Sequence, residues 1–374
     1  MEKQKRFAFL DLMKFFAIFF VVLYHGRYIP NDIMGESVTL QSQIVYIVHC
    51  ILATGVPIFF FVNGFLLINK KLDLKKFTIK TVKLIAITFI WGATGLLVIA
   101  ATRGESFSPM ELLAGLWKWK LGYINYLWFM GALVCIRFIF PLIKSAFDNN
   151  RKVFNYFVAL CMIIVFGNSI LNMITTLTDR VILDGTEYFV DAYSNKDWLN
   201  IFNPLAGMKG HAFALFMLGC FVGGNKEKLD KKIESSKILN PFTAFIVFVI
   251  STVLYVLWGY YTANLLDGQW DPVWNGYDKI FTLINVIAMY VMFRNYKGSP
   301  KNPLSYVIRL VSKNTLGVYF THQLLLEFLK VNGLTELPFM QNYAVNIVYV
   351  LLIVLVCASV SALLKKIPLI KNLF

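Results

Sequence analysis

The chain has few charges for its length. Only 15% of its 374 residues are charged, whereas 58% are hydrophobic and 16% are aromatic. A soluble domain has about 25% charged and about 45–50% apolar residues, so a water-soluble fold could not bury this much apolar side chain. The composition also excludes a disordered chain, a collagen-like chain and a small disulfide scaffold. What remains is a protein with several membrane-spanning segments.

Metal-binding and disulfide-forming residues are also scarce. The sequence has four His, and its five Cys all lie inside apolar runs without a Cys-x-x-Cys motif. No Cys/His spacing resembles a zinc site. We interpret the Cys as small buried hydrophobic residues and expect no metal centre.

Ten apolar runs are long enough to be candidate spans, because a helix needs about 20 residues to cross the ~30 Å hydrocarbon layer. We expect the short eighth and ninth runs to extend toward Tyr277 and Ser312. The fold class predicted is an all-α, polytopic membrane bundle of about ten transmembrane helices. We expect one transmembrane domain over residues 1–374, without an appended soluble domain. The runs are Phe7–Ile29, Ile44–Ile68, Thr78–Ala101, Ile124–Ile143, Val153–Ile174, Pro204–Gly223, Pro241–Thr262, Ile280–Phe293, Leu316–Leu329 and Ala344–Leu364.

The net charge of +15 has an explanation in topology. Most of the 36 Lys and Arg fall in alternate loops, on the side that also holds both chain ends. The positive-inside rule therefore predicts cytoplasmic N- and C-termini in a multi-pass plasma-membrane protein. An even number of spans agrees with this placement. The excess charge does not call for a nucleic-acid partner, and we expect none.

Ionisable side chains inside predicted spans are costly, so each is a candidate functional residue. Lys14 and His25 are the most informative pair. Eleven positions rotate a helix by about 1100°, close to three turns, which places both on one face about 16 Å apart. Asp11 is an i,i+3 neighbour that could pair with Lys14. A helix-end salt bridge and a His bonded to a neighbouring helix are the structural alternative. The other candidates are His49, Arg137, Lys209, His211, His322 and Glu327.

The first span, FLDLMKFFAIFFVVLYHG, resembles the first helix of the family-3 membrane acyltransferases. That family carries Leu-Asp-x-x-Arg and a His eleven residues after the Arg. Further segments resemble family motifs in the same order along nearly the whole chain. They are VPIFFFVNGFLL (Val56–Leu67), YLWFMGALVCIRFIFPLI (Tyr126–Ile143), FALFMLGCFVG (Phe213–Gly223) and SKNTLGVYFTHQLLL (Ser312–Leu326).

The resemblance implies an enzyme that transfers an acyl group, usually acetyl, to a sugar hydroxyl. Its acceptor would be a polysaccharide of the bacterial cell envelope or a lipid-linked sugar precursor, and its co-substrate acyl-CoA, with no tightly bound cofactor. Three departures from the family pattern stand out. Lys14 replaces the usual Arg, Lys80-x-x-Lys83 replaces Arg-x-x-Arg, and Asn63 replaces Ser. A Lys keeps the charge but loses the bidentate fork of Arg, so the donor site would grip phosphate less tightly.

The family's chemistry suggests roles for the candidate residues. We expect His25 to be the general base that takes a proton from the acceptor hydroxyl, although an acyl-imidazole intermediate stays open. His322 could orient His25, bind the acceptor, or only bond across helices. Asn63 or Tyr319 could stabilise the oxyanion, and Glu327 could face the acceptor.

Cationic side chains would hold the anionic donor. Lys76, Lys80 and Lys83 suit its phosphates, although they could equally serve only to set topology. Lys14 and Arg137 lie deeper, and pairing with Asp11 is the structural alternative for Arg137. We interpret His49 and His211 as mainly structural.

Two other functions fit ten spans with intramembrane charges. One is a transporter or flippase for a surface glycan or small solute, but the internal repeats common in carriers are not visible in the sequence. The other is a non-catalytic partner of a glycan synthase. The sequence leaves the acyl group, the acceptor sugar, the membrane side of modification and the oligomeric state undetermined.

Overall fold

The computed structural model describes residues 6–26, 39–118, 122–182, 210–265, 276–299 and 301–368. These residues form helices and no β-strand. Short 3₁₀ turns lie at Gly122–Leu127, Leu334–Glu336 and Pro338–Gln341. A π-helical turn at Ile163–Gly167 joins two α-helices. The α-helices are α1 (Ala8–His25), α2 (Leu40–Leu52), α3 (Gly55–Ile68), α4 (Leu74–Arg103), α5 (Pro109–Lys118), α6 (Trp128–Asn149), α7 (Arg151–Met162), α8 (Asn168–Ile182), α9 (Gly210–Gly224), α10 (Lys226–Ser235), α11 (Pro241–Leu265), α12 (Ile280–Phe293), α13 (Pro303–Lys313), α14 (Thr315–Val331) and α15 (Tyr343–Leu364).

Among the described residues, seven helical segments are long and apolar enough to cross a membrane. Two shorter apolar helices, α9 and α12, accompany them. The prediction of an all-α polytopic membrane protein is therefore confirmed at this level. The number of ten spans and the cytoplasmic termini stay predictions. The seven segments are Ala8–His25, Leu40–Ile68, Leu74–Arg103, Ile124–Asn149, Arg151–Ile174, Pro241–Thr262 and Tyr343–Leu364.

Two predicted helix extensions are wrong. Helix α12 begins at Ile280, because Lys279 before it has extended backbone angles. Ser312 does not extend the ninth span, since it belongs to the separate helix α13. Asn314 between α13 and α14 has φ −115° and ψ 14°, which breaks the helix. The predicted sixth span begins at Pro204, but residues 204–209 lie outside the described part of the chain.

Proline and capping residues explain several helix ends. Pro57 has no N–H to donate to the Ala53 carbonyl. Helix α2 therefore ends at Leu52, and a separate helix, α3, begins at Gly55. Helix α4 begins after Asp73, whose side chain accepts the Lys76 N–H at 3.0 Å. It ends at Gly104, whose left-handed φ of 70° suits glycine. The 30 residues of α4 span about 45 Å, so this helix is longer than the hydrocarbon layer is thick.

The chain packs into two compact units. The first unit comprises Met1–Ile29, Lys71–Leu142 and Asn295–Phe374. Here α1 contacts α13, α14 and α15, and α14 also contacts α4. The second unit comprises Pro30–Lys70 and Ile143–Arg294. Its most extensive interface joins α3 and α9. The single transmembrane domain predicted from the sequence stays a prediction.

Cysteine burial differs from the prediction at one position. Cys50, Cys161, Cys220 and Cys357 are buried, as expected, but Cys135 is exposed. Cys135 lies on α6 in a stripe with Phe138 and Leu142, which are 62% and 73% exposed. An exposed apolar stripe at helical spacing is typical of a lipid-facing surface, where a buried-core interpretation fails.

Glycine allows α3 and α9 to approach closely. A Cβ atom on Gly64 would lie 2.0 Å from the Phe216 carbonyl oxygen, and one on Gly219 would lie 2.0 Å from the Phe61 carbonyl oxygen. Both obstacles are backbone atoms, which cannot move aside without separating the helices. Small residues that let backbones approach are a common feature of helix pairs in membranes.

We expect Gly64→Ala and Gly219→Ala each to destabilise the second unit by about 1–3 kcal/mol, the usual cost of overpacking. The measurement is thermal unfolding of the purified protein in detergent. Gly95→Ala on α4 is the control, because its Cβ would meet only side chains at 3.5 Å or more. Equal unfolding temperatures for all three variants and the wild type would contradict the close packing.

Candidate active site

His25 and His322 meet in the first unit. His25 is the last residue of α1 and is half-buried. His322 lies in the middle of α14 and is fully buried. Their ring centroids are 5.5 Å apart, and the planes are inclined by 44°. The structure thus brings together the two His that the sequence marked as catalytic candidates.

The hydrogen bonding of His322 defines its tautomer. Its Nδ1 lies 3.0 Å from the Val318 carbonyl oxygen. A carbonyl only accepts, so Nδ1 carries the proton, and in the neutral ring Nε2 is an acceptor. This Nε2 is buried and has no hydrogen-bond partner among the described residues. A buried acceptor without a partner beside a second imidazole is a group available for chemistry.

Two tyrosines surround the His322 ring. Tyr126 lies 5.6 Å from it in an edge-on arrangement, and Tyr319 lies 6.1 Å away. The Tyr319 hydroxyl donates to the Tyr126 carbonyl, and the Tyr126 hydroxyl donates to the Phe320 carbonyl at 3.3 Å. These bonds join α14 to the 3₁₀ turn before α6. The Tyr319 proton is therefore already in use, and an oxyanion role would require this bond to break.

Asn346, which the sequence analysis missed, holds the end of α1. Its Nδ2 donates to the Gly26 carbonyl at 3.0 Å, directly after His25. Asn346 is fully buried near the start of α15. Gly26 is also confined sterically, since a Cβ there would lie 2.9 Å from Val350 and 3.2 Å from Leu326. An Asn inside an apolar helix at Tyr343–Leu364 was the available sequence signal.

Glu327 is engaged in an ion pair with Arg103, the last residue of α4. The Arg103 Nε donates to Glu327 Oε1 at 2.6 Å, and a second guanidinium nitrogen contacts the same oxygen. The Glu327 side chain is 10% exposed and that of Arg103 is 29% exposed. No local pattern in the sequence indicates Arg103 as the partner of Glu327. The pair joins α4 to α14, one helical turn or more beyond His322.

Helix α1 carries Lys14 and His25 on one unbroken helix, as predicted. Lys14 is half-buried. Both carboxylate oxygens of Asp11 have other partners: Oδ2 accepts from Arg6 Nε at 2.5 Å, and Oδ1 accepts from the Ser312 hydroxyl at 2.5 Å. Asp11 therefore joins the start of α1 to the end of α13.

Arg137 has neutral surroundings. Its Nε donates to Thr81 Oγ1 at 3.0 Å, and its guanidinium lies over the Phe77 ring, 4.3 Å from the centroid. No carboxylate pairs with it among the described residues, so the proposed pairing with Asp11 is wrong. A half-buried guanidinium held by a hydroxyl and a ring keeps its positive charge uncompensated.

The basic residues at the start of α4 are exposed, which is true of Lys76, Lys80 and Lys83 alike. Lys76 Nζ also lies 3.1 Å from Asp73 Oδ2. The hydrogen bond that Asp73 accepts from the Lys76 backbone lowers the pKa of this carboxyl below its ordinary value. Spacings of four and three residues place the three lysines on one side of α4.

The remaining candidates lie in the second unit. Asn63 donates to the Phe59 carbonyl at 2.8 Å within α3. His49 is buried, and its Nδ1 lies 2.9 Å from the Val45 carbonyl oxygen. The His211 ring lies 5.5 Å from that of Tyr277. Lys209 lies outside the described residues. None of these is part of the arrangement around His25 described above.

A family model described as an acyltransferase domain matches residues 7–365, which is nearly the whole chain. The match covers α1, α14 and every other helix named above. Neither a curated protein nor a solved structure matches the chain.

We expect Asn346→Leu to lower kcat about tenfold or more, because the end of α1 then loses the bond that fixes His25. Misplacement of a reacting group by about 1 Å can cost as much as 100-fold. The measurement is acyl-transfer kinetics together with thermal unfolding.

Asn285→Leu is the matched control for this variant. Asn285 is also fully buried and donates one amide bond, to Thr252 at 3.2 Å, but it lies in the second unit. Both variants should lose stability. A kcat that falls equally in both would argue against a positioning role for Asn346.

Proposed function

The chain belongs to acyltransferase family 3, and on that premise we propose that it is a plasma-membrane O-acyltransferase. Its donor is acyl-CoA, with acetyl as the expected group. Its acceptor is a hydroxyl of a cell-surface glycan or of a lipid-linked sugar precursor. The His25–His322 pair is the observation that carries this proposal.

His25 acts as the base in this scheme. A sugar hydroxyl is a weak nucleophile at neutral pH, and a neutral imidazole takes its proton as the oxygen attacks the thioester carbonyl. The tetrahedral intermediate collapses with cleavage of the C–S bond, and the imidazolium returns the proton to the departing CoA thiolate. The products are an acyl ester and CoA thiol. A two-step route is the alternative: the acyl group passes first from CoA to His25 and then from His25 to the acceptor hydroxyl, with the same products.

The different burial of the two imidazoles suits a division of roles. His25 is half-buried and can be reached by a substrate, whereas His322 is not exposed at all. His25 has two N–H donors when it is protonated. The neighbouring ring, that of His322, offers the acceptor Nε2. We therefore assign His322 to stabilising the imidazolium that forms on His25. The oxyanion donor in this scheme is Tyr319, whose hydroxyl would first have to leave the Tyr126 carbonyl.

The donor side of the scheme uses the cations of α1, α4 and α6. Lys14 lies about 16 Å from His25 along α1, between the helix start and the proposed base. Arg137 keeps an uncompensated charge beside α4. Lys76, Lys80 and Lys83 would attract the nucleotide phosphates from the cytoplasm.

Geometry favours an acyl arm that passes into the bundle. Acyl-CoA is cytosolic, whereas surface glycans are outside. With the predicted cytoplasmic N-terminus, α1 places Lys14 in the inner half of the membrane and His25 nearer the outer surface. The thioester would then approach His25 from inside, and the acceptor from outside. Glu327, paired with Arg103, lies five residues after His322, on the acceptor side.

We expect His25→Ala to lower acyl transfer by about 10²–10⁴-fold, the usual contribution of a general base. His322→Gln should lower kcat by less and leave the donor KM unchanged. The assay is transfer of labelled acetyl from acetyl-CoA to envelope glycan by the purified protein in nanodiscs.

His49→Gln is the control for His322→Gln, since His49 is buried and has the same bond to the carbonyl four residues earlier. Activity of His49→Gln should equal that of the wild type. Glycan or solute transport that persists in His25→Ala, together with no acyl transfer by the wild type, would favour the transporter alternative and contradict the enzymatic role of His25.

We expect Lys14→Arg to keep activity and Lys14→Ala to lose most of it through a raised acetyl-CoA KM. An ammonium or guanidinium attracts donor phosphate, whereas a methyl group does not. The measurement is initial rate against acetyl-CoA concentration. A donor KM that stays the same in Lys14→Ala would contradict the phosphate-binding role.

A further inference from the structure

A basic cavity lies at the start of α1, at the opposite end of this helix from His25. Its volume is about 260 Å³. The walls come from Arg6 and the first turn of α1, from the segment after α12 and from α13, all within the first unit. Arg6, Lys297 and Arg309 supply three positive charges, and Asp11 supplies one carboxylate. We call this cavity the basic pocket.

The carboxylate does not neutralise the basic pocket. Asp11 is already bonded to Arg6 and to the Ser312 hydroxyl. Lys297 and Arg309 have no carboxylate partner among the residues that the structure describes. Lys313 follows Arg309 by one helical turn and adds a fourth charge. Desolvation lowers the pKa of the exposed Lys313, the positive charges of Arg309 and Arg6 lower it further, and the Asp11 carboxylate raises it. The local field is therefore positive.

Hydroxyl groups and an open glycine complete the lining. The Tyr296 hydroxyl and Ser305 Oγ are 2.9 Å apart, and the Ser299 N–H donates to Ser305 Oγ at 3.0 Å. Gly298 has a φ of 64° and leaves backbone rather than side chain at the wall. Guanidinium, ammonium and hydroxyl donors around exposed backbone are the donor set that proteins use for phosphate.

We propose that the basic pocket binds a phosphoryl group of an anionic ligand. Its volume lies below the ~300–1,000 Å³ typical of sites for whole drug-sized ligands, so it suits a phosphate end rather than an entire acyl-CoA. The phosphate belongs either to the CoA nucleotide or to a lipid headgroup. The first source rests on the proposed function, whereas the second does not. About 21 Å of helix rise separate Asp11 from His25, so the pocket is distinct from the reaction centre.

The test compares two double variants that each remove two positive charges. Lys297→Gln/Arg309→Gln alters the basic pocket. Lys301→Gln/Lys366→Gln is the matched control, because both of these lysines are exposed and neither lines the cavity. The probes are labelled CoA in neutral phosphatidylcholine nanodiscs, and the rise in unfolding temperature when phosphatidylglycerol is added to the nanodiscs. Lys297→Arg/Arg309→Lys keeps the charges and should behave as the wild type, which separates binding from folding defects.

A CoA Kd raised tenfold or more in the pocket variant alone would assign the pocket to the donor phosphate. Unchanged CoA binding with loss of the phosphatidylglycerol response would assign it to a lipid headgroup. Wild-type values for both probes in the pocket variant would overturn the proposal. CoA binding needs no chemistry and should persist in His25→Ala. Pocket-dependent CoA binding by a wild-type protein that transfers no acyl group would therefore refute the proposed function alone. Acyl transfer by the wild type, with neither CoA binding nor the phosphatidylglycerol response altered in the pocket variant, would refute the pocket alone.

Discussion

The rigidity of α1 sets the geometry of the first unit. An α-helix fixes the separation of its residues, so the start of α1, Lys14 and His25 keep constant distances along one axis. Each end is then fastened by a polar contact to a later part of the chain. Asp11 accepts from Ser312 at the start, and the Gly26 carbonyl accepts from Asn346 at the end. In a medium without water these bonds are favoured, since an unpaired polar group there costs several kcal/mol.

Hydropathy predicts helices reliably here because every backbone N–H and C=O in a membrane must be satisfied within its own segment. Helix α11 begins at Pro241, where the sequence places the start of the seventh span. The separate helix α13 was not predicted. Its boundary depends on the backbone of Asn314, and an Asn within an otherwise helical run gives only a weak signal for such a break. The predicted burial of Cys135 is wrong for a similar reason: the sequence signal is ambiguous, because an apolar residue suits a lipid-facing surface as well as a core.

The site was predictable in part. The spacing of Lys14 and His25 follows from helical periodicity alone. The approach of His322 to His25 needs tertiary packing, since the two belong to distant helices, and only the family motifs suggested it. Two other contacts left no local pattern. Arg103 and Glu327 are 224 positions apart, and Asn346 and Gly26 are 320 apart. A charge inside a span shows that a partner is needed, but the sequence does not say which residue supplies it.

A comparison of His322 with His49 shows where local sequence stops being informative. Both are buried, and both have Nδ1 bonded to the carbonyl four residues earlier, so their local chemistry is the same. Each bond leaves the neutral ring with an acceptor Nε2. The difference arises only in the folded chain, where His322 faces the ring of a second, more accessible imidazole. Proton transfer needs a donor and an acceptor within reach of each other, and reach is a property of packing rather than of composition.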